Sequence, residues 1–145
     1  MSDLRFRIKA HSERATKTIV KARSFSFTVD EPEDLGGKDE AANPVEYMLG
    51  ALAGCLNVMA HVIAREMDFE LKGVKIDIVG DLNPARLFGQ SMEERAGFKG
   101  LEVKIKADAE NVSDETLEKW KDAIADRCPV CDNLKNPTPV KISVK

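Results

Sequence analysis

The sequence predicts an α+β domain with mostly antiparallel strands around one long buried helix. Several short stretches alternate apolar and charged residues with period two, the pattern of strands with one wet face. One long segment, Tyr47 to Ala64, is apolar or small nearly all round. The strand patterns come mostly in runs before and after that segment, which favours antiparallel sheets over a βαβ repeat.

A chain of 145 residues is the size of one domain, here expected to span residues 1–145. A composition 43% hydrophobic and 32% charged is that of a folded globular chain rather than a disordered one. The 22 Lys and Arg against 25 Asp and Glu give a net charge of −3 and no basic excess, so a nucleic-acid partner is not expected. Arg5, Arg7, Lys104, Lys106 and Lys141 read as solvated strand faces. The N-terminus carries no apolar stretch of signal-peptide type, which predicts a cytoplasmic protein. Three cysteines do not make a disulfide scaffold, so they are expected as reduced thiols serving packing, metal or redox chemistry.

Leu4, Phe6, Ile8 and Ala10 alternate with Arg5, Arg7 and Lys9 as a first strand. Thr16 to Arg23 gives a second, and Phe25, Phe27 and Val29 alternate with Ser24, Ser26 and Thr28 as a third. The acidic stretch from Pro32 to Ala42 contains Gly36 and Gly37, shows no period, and reads as a loop. Asn43-Pro44-Val45-Glu46 then opens the long helix, with Asn as N-cap, Pro at the first helical position and Glu three residues after the cap. Polar interruptions at Asn57 and His61, many Gly and Ala, and the amphipathic strands around it favour a core helix over a membrane span.

After the helix, Val74, Ile76 and Ile78 mark a strand ending at Gly80, and residues 81 to 100 are a connection with a short helical piece from Ser91 to Arg95. Val103, Ile105 and Ala107 mark another strand. Ser113 caps a helix whose apolar stripe is Leu117, Trp120, Ala123 and Ile124, closed by Arg127. Val140, Ile142 and Val144 alternate with Lys141, Ser143 and Lys145 as a final strand. A helix apolar on every face needs more cover than a small chain supplies. The step from Gly50 to Gly54 admits either a second helix, as in a homodimer, or close packing of a strand of the same chain.

Cys55 lies midway along the long helix, on one face with Leu52, Met59 and Val62. A free Cys there is commonly a small core hydrophobe, and a reactive one would need a cation from elsewhere, since mid-helix it gains nothing from the helix dipole. Cys128 directly follows one helix and precedes Pro129, so it is placed to cap a short helical turn whose N–H groups favour a thiolate. Cys128-Pro129-Val130-Cys131 also has the spacing of a redox pair or half a zinc site. A zinc site would need Cys55, His11 or His61 to converge, and Cys55 and His61 are about 120° apart around the helix at ~100° per residue. No metal is expected.

The run Asn43-Pro44-Val45-Glu46-Tyr47-Met48-Leu49-Gly50-Ala51-Leu52-Ala53-Gly54-Cys55 resembles the central-helix motif of the OsmC/Ohr superfamily, the osmotically inducible and organic hydroperoxide resistance proteins. Cys128-Pro129-Val130 is similar to its second cysteine motif, and Asp30-Glu31-Pro32 through Leu35-Gly36-Gly37 fits the lead-in. The resemblance implies an OsmC-like fold and an intertwined homodimer with buried central helices and active sites at the subunit interface. It implies a thiol peroxidase: Cys55 attacks the peroxide, Cys128 resolves the sulfenic acid to a disulfide, and an external dithiol reduces that. No cofactor is implied.

The family peroxidases also use an Arg from the early strands and a Glu just after the Asn-Pro step. Arg14 stands near the Arg position, with Arg23 a second candidate. The Glu position holds Val45, and Glu46 follows one residue later, where its capping role explains it without catalysis. Cys131 is a further departure, either a competitor for Cys128 or a packing residue. A different reading is a noncatalytic dimer that binds a small apolar molecule around Cys55, Met48 and Met59.

Overall fold

The computed structural model describes residues 1–145. The chain forms two compact units, Met1–Gly50 and Ala51–Lys145. In the first, β1 (Lys9–Ser12), β2 (Thr18–Ala22) and β3 (Phe25–Val29) make an antiparallel sheet in the order β1-β2-β3. The pattern of the early residues extends further back than the sheet does: Leu4, Phe6 and Ile8 belong to no strand and are 80%, 87% and 58% exposed. The register explains the difference. Lys9 pairs with Lys21, so residues before Lys9 would need partners at and beyond Ala22, where the chain turns into β3.

Between β3 and the long helix α1 (Pro44–Glu66), the acidic loop carries one 3-10 turn, Glu33–Leu35. Gly36 ends that turn with φ of 88°, and a Cβ on Gly37 would come within 1.7 Å of the Glu31 carbonyl oxygen. The loop therefore folds only with glycine at position 37. Helix α1 starts as its sequence dictates: the Asn43 side chain accepts from the Glu46 N–H at 2.9 Å while the Glu46 carboxylate accepts from the Asn43 N–H at 2.8 Å. Tyr47 ties this start to β3, its hydroxyl donating to the Thr28 carbonyl at 2.6 Å.

In the second unit, β4 (Leu71–Asp81) and β5 (Gly100–Ala109) form an antiparallel pair. Their alternation is resolved into faces: Ile76 opposite Ile105 packs on the core, while Asp77 opposite Lys104 faces outward. Ser113 caps α2 (Asp114–Arg127), accepting from the Thr116 N–H at 3.1 Å, and α3 (Pro129–Lys135) follows at once. The core joins Leu52, Leu56, Ala60, Ile63 and Ala64 of α1 to Trp120 and Ile124 of α2 and to Cys128. Trp120 meets its polar requirement by donating its indole N–H to the Ala60 carbonyl at 2.9 Å.

Two further expectations are corrected. Ser91 to Arg95 forms bends and no helix, since a segment shorter than two turns cannot offset its nucleation cost without packing. Val140, Ile142 and Val144 form no strand and are 80%, 86% and 94% exposed, because no strand of the chain pairs with them. Helix α1 is long and apolar enough to cross a membrane, yet one face of it builds this core, which makes it a core helix. Its opposite face, with Gly50, Ala51, Gly54 and Val58, is exposed. A Cβ on Gly50 or Gly54 would meet no atom within 4 Å, so close packing by a strand of the same chain is not their role.

Candidate active site

Cys128 is the hinge on which the site is built. Its N–H donates to the Ile124 carbonyl at 3.1 Å, closing α2, and its sulfur accepts from the Cys131 N–H at 3.4 Å, opening α3. One residue ends one helix and starts the next, because Pro129 needs no N–H partner at the first helical position. This fixes the thiol at the core, fully buried, where it meets Cys55 of α1: the two sulfurs lie 3.1 Å apart although 73 residues separate them in the chain. Cys55 and Cys131 are both partly exposed, and all three cysteines are free thiols.

The surroundings divide the three thiols electrostatically. Burial pushes Cys55 up, its contact with the Val130 backbone opposes this, and the neighbouring Cys128 pushes it up further. Cys128 is held below the ordinary thiol value: burial acts against ionisation but is outweighed by the Cys131 N–H, the Cys55 thiol, the Cys131 side chain and the Val130 backbone. Cys131 is pushed up to about 11 by burial and by Cys128, while Lys135 acts in the opposite sense.

The first unit holds the remaining candidates. Arg14 lies in the turn joining β1 to β2, with one guanidinium nitrogen donating to Asp30 at 2.6 Å and another to Glu40 at 2.9 Å. Asp30, fully buried at the end of β3, also accepts from the Thr16 hydroxyl and from the backbone N–H groups of Lys38 and Glu40. Burial raises its pKa, but these donors and the Glu31 backbone hold it well below the usual carboxylate range. Sequence reasoning missed Asp30 and Glu40 as partners of Arg14; the signal was an Asp at a strand end, just before the acidic loop. Arg23 lies instead in the β2–β3 turn, with φ of 58° and its guanidinium 5.0 Å from the Phe25 ring centre. The Glu46 carboxylate is held at the α1 cap. No group of three or more His, Cys, Asp or Glu side chains has the geometry to hold a metal ion.

The comparison with known families decides what this arrangement belongs to. The family model described as OsmC: OsmC-like protein matches residues 37–143, a span that includes both the α1 cysteine and the Cys128 turn. The chain belongs to the OsmC family. No curated protein matches the sequence. The OsmC fold is confirmed by solved structures. An OsmC-like protein from Mycoplasma pneumoniae is 17% identical with a TM-score of 0.79, covering 94% of this chain and 91% of that one. An organic hydroperoxide resistance protein OsmC from Legionella pneumophila is 21% identical with a TM-score of 0.66, covering 93% and 92%. A putative organic hydroperoxide resistance protein from Vibrio cholerae, with captopril bound in one of its active sites, is 20% identical with a TM-score of 0.64, covering 94% and 88%.

Proposed function

We propose that this OsmC-family protein is a thiol peroxidase that reduces organic or hydrogen peroxides in the cytoplasm, with Cys55 as the attacking sulfur and Cys128 as the resolving one. The observation that carries the reading is the 3.1 Å approach of these two sulfurs, one fully buried and the other reachable. The names of the relatives from Legionella and Vibrio support peroxide as the substrate class.

In the proposed reaction a proton passes from Cys55 to Cys128 across the 3.1 Å contact, and the Cys55 thiolate so formed attacks the peroxide O–O bond. The Cys55 sulfur takes one oxygen as a sulfenic acid, and the other leaves with a proton as alcohol, or as water from hydrogen peroxide. Cys128 then attacks that sulfur, its proton leaves with the hydroxyl as water, and a disulfide forms. An external dithiol returns both thiols and is itself oxidised. Arg14 is assigned, on the family resemblance, to favouring the Cys55 thiolate, and Asp30 and Glu40 orient its guanidinium. Glu46 contributes through the cap of α1.

We further propose that the working form is a homodimer. The exposed small-residue face of α1 and the unpaired apolar alternations at Leu4 to Ile8 and Val140 to Val144 are surfaces that a second copy would cover. The test of the chemistry is consumption of an organic hydroperoxide with dithiothreitol as reductant. The wild type turns over with dithiothreitol, Cys128→Ser given no reductant stops after one equivalent, and Cys55→Ser consumes none above background. Unchanged consumption by Cys55→Ser would falsify the assignment.

A further inference from the structure

The Cys128 sulfur has two thiol neighbours, and the proposed function uses only one. Cys131 sits at the third position of α3, where its N–H donates to the Cys128 sulfur at 3.4 Å, while Cys55 approaches the same sulfur at 3.1 Å. A cysteine cap followed three residues on by a second cysteine in the first helical turn places both thiols on one end of the helix. The turn is closed by the Asp132 N–H donating to the Cys128 carbonyl at 2.9 Å. Cys131 is also the member of this pair that solvent reaches: it lines an open, mostly apolar cavity of about 400 Å³ together with Ile105, Trp120, Ile124 and Lys135, whereas Cys128 is fully buried.

From this geometry we propose that Cys131 is a third redox thiol that takes over the disulfide from Cys55, so that the oxidised form presented to the reductant is Cys128–Cys131. The proposal rests on the peroxidase reading for the origin of the first disulfide. The exchange is redox-neutral. The Cys131 thiolate attacks the Cys128 sulfur, the bond between Cys128 and Cys55 breaks, and Cys55 leaves as a thiolate that takes up the proton Cys131 gave up. The external dithiol then attacks at Cys131, on the cavity side.

The environment makes this transfer conditional on the first step. In the reduced protein, Cys131 is kept protonated by burial and by the negative charge and hydrogen bond of Cys128. Once Cys128 is bound to Cys55, that charge and that acceptor are gone, and Lys135, four residues on in the same helix, remains to favour the Cys131 thiolate. Forming the first disulfide therefore removes two of the effects that hold Cys131 protonated, the hydrogen bond and the charge of Cys128.

The experiment oxidises the reduced full-length protein with diamide, which needs no peroxide chemistry. Samples are acid-quenched over time, alkylated and digested with trypsin without reduction. Cleavage after Arg127 and Lys135 puts Cys128 and Cys131 in one peptide and Cys55 in another. The relay predicts an early cross-link between the two peptides. This gives way to an internal bridge in the Cys128–Cys131 peptide, with Cys55 alkylated in the majority of the protein. Cys131→Ser is expected to stop at the cross-link. A wild type that ends at the cross-link with Cys131 alkylated, or that forms the internal bridge with no cross-link before it, overturns the relay alone. A Cys131→Ser protein that forms no cross-link overturns the Cys55–Cys128 couple as well.

Discussion

At the scale of single residues, the protonation of Cys131 and of Asp30 makes stability depend on pH. Cys131 has its pKa raised to about 11 from an ordinary thiol value of 9.0, so the folded state holds a proton that the unfolded chain releases first. The sign follows: this contribution to stability is complete below pH ~9 and is lost as pH rises toward 11. The denaturation midpoint should fall through that window, and the fall should be shallower in Cys131→Ser; equal slopes would show that Cys131 carries no such linkage. Asp30 has the opposite sign. Its depressed folded pKa stabilises the protein at neutral pH and loses that effect only as pH falls below the usual carboxylate range. Asp30→Asn should therefore lower the neutral-pH midpoint in urea and release the Arg14 turn, seen as faster amide exchange at residues 13 to 17. Under the role proposed for Arg14, Arg14→Met should slow peroxide-driven thiol loss ~10-fold or more, the range expected when a cation that favours a thiolate is removed; an unchanged rate would remove Arg14 from the proposed chemistry. Cys55, Cys128 and Arg14 could be singled out as candidates from the sequence. The partners of Arg14 could not, because ion pairs across a turn leave no periodic mark in a sequence.

At the scale of elements, local chemistry was the most readable part of the chain. Asn43, Ser113 and the Cys128-Pro129 step each begin a helix where their side chains and dihedral preferences predict it. Asn43→Ala should cost about 1 kcal/mol in a urea melt, the usual loss of an N-cap, and Ser113→Ala about the same; values near zero would show that packing alone fixes those helix starts. Strand limits were less readable for a definite reason. Alternation shows which face of a segment is apolar, but a strand also needs a partner in register. Leu4 to Ile8 runs past the end of β2, and Val140 to Val144 has no partner strand in the chain, so two clear patterns are unpaired.

At the scale of the whole molecule, the proposed homodimer would cover both those unpaired patterns and the bare face of α1. Gly54→Leu separates the possibilities, since a side chain there meets nothing within 4 Å in the chain itself and replaces glycine with a better helix former. Light scattering should give the wild type about twice the 16.0 kDa chain mass and Gly54→Leu a single chain mass; an unchanged dimer would place the interface elsewhere. The fold class and the cysteine motifs were visible in the sequence, whereas the meeting of Cys55 with Cys128 depends on how α2 ends against α1, which spacing does not report. The most direct measurement of the central claim is a single turnover: reduced protein is given one equivalent of organic hydroperoxide, and the alcohol formed and the thiols remaining are counted. The account predicts one alcohol per chain and loss of two of the three thiols; intact peroxide with all three thiols retained would contradict it.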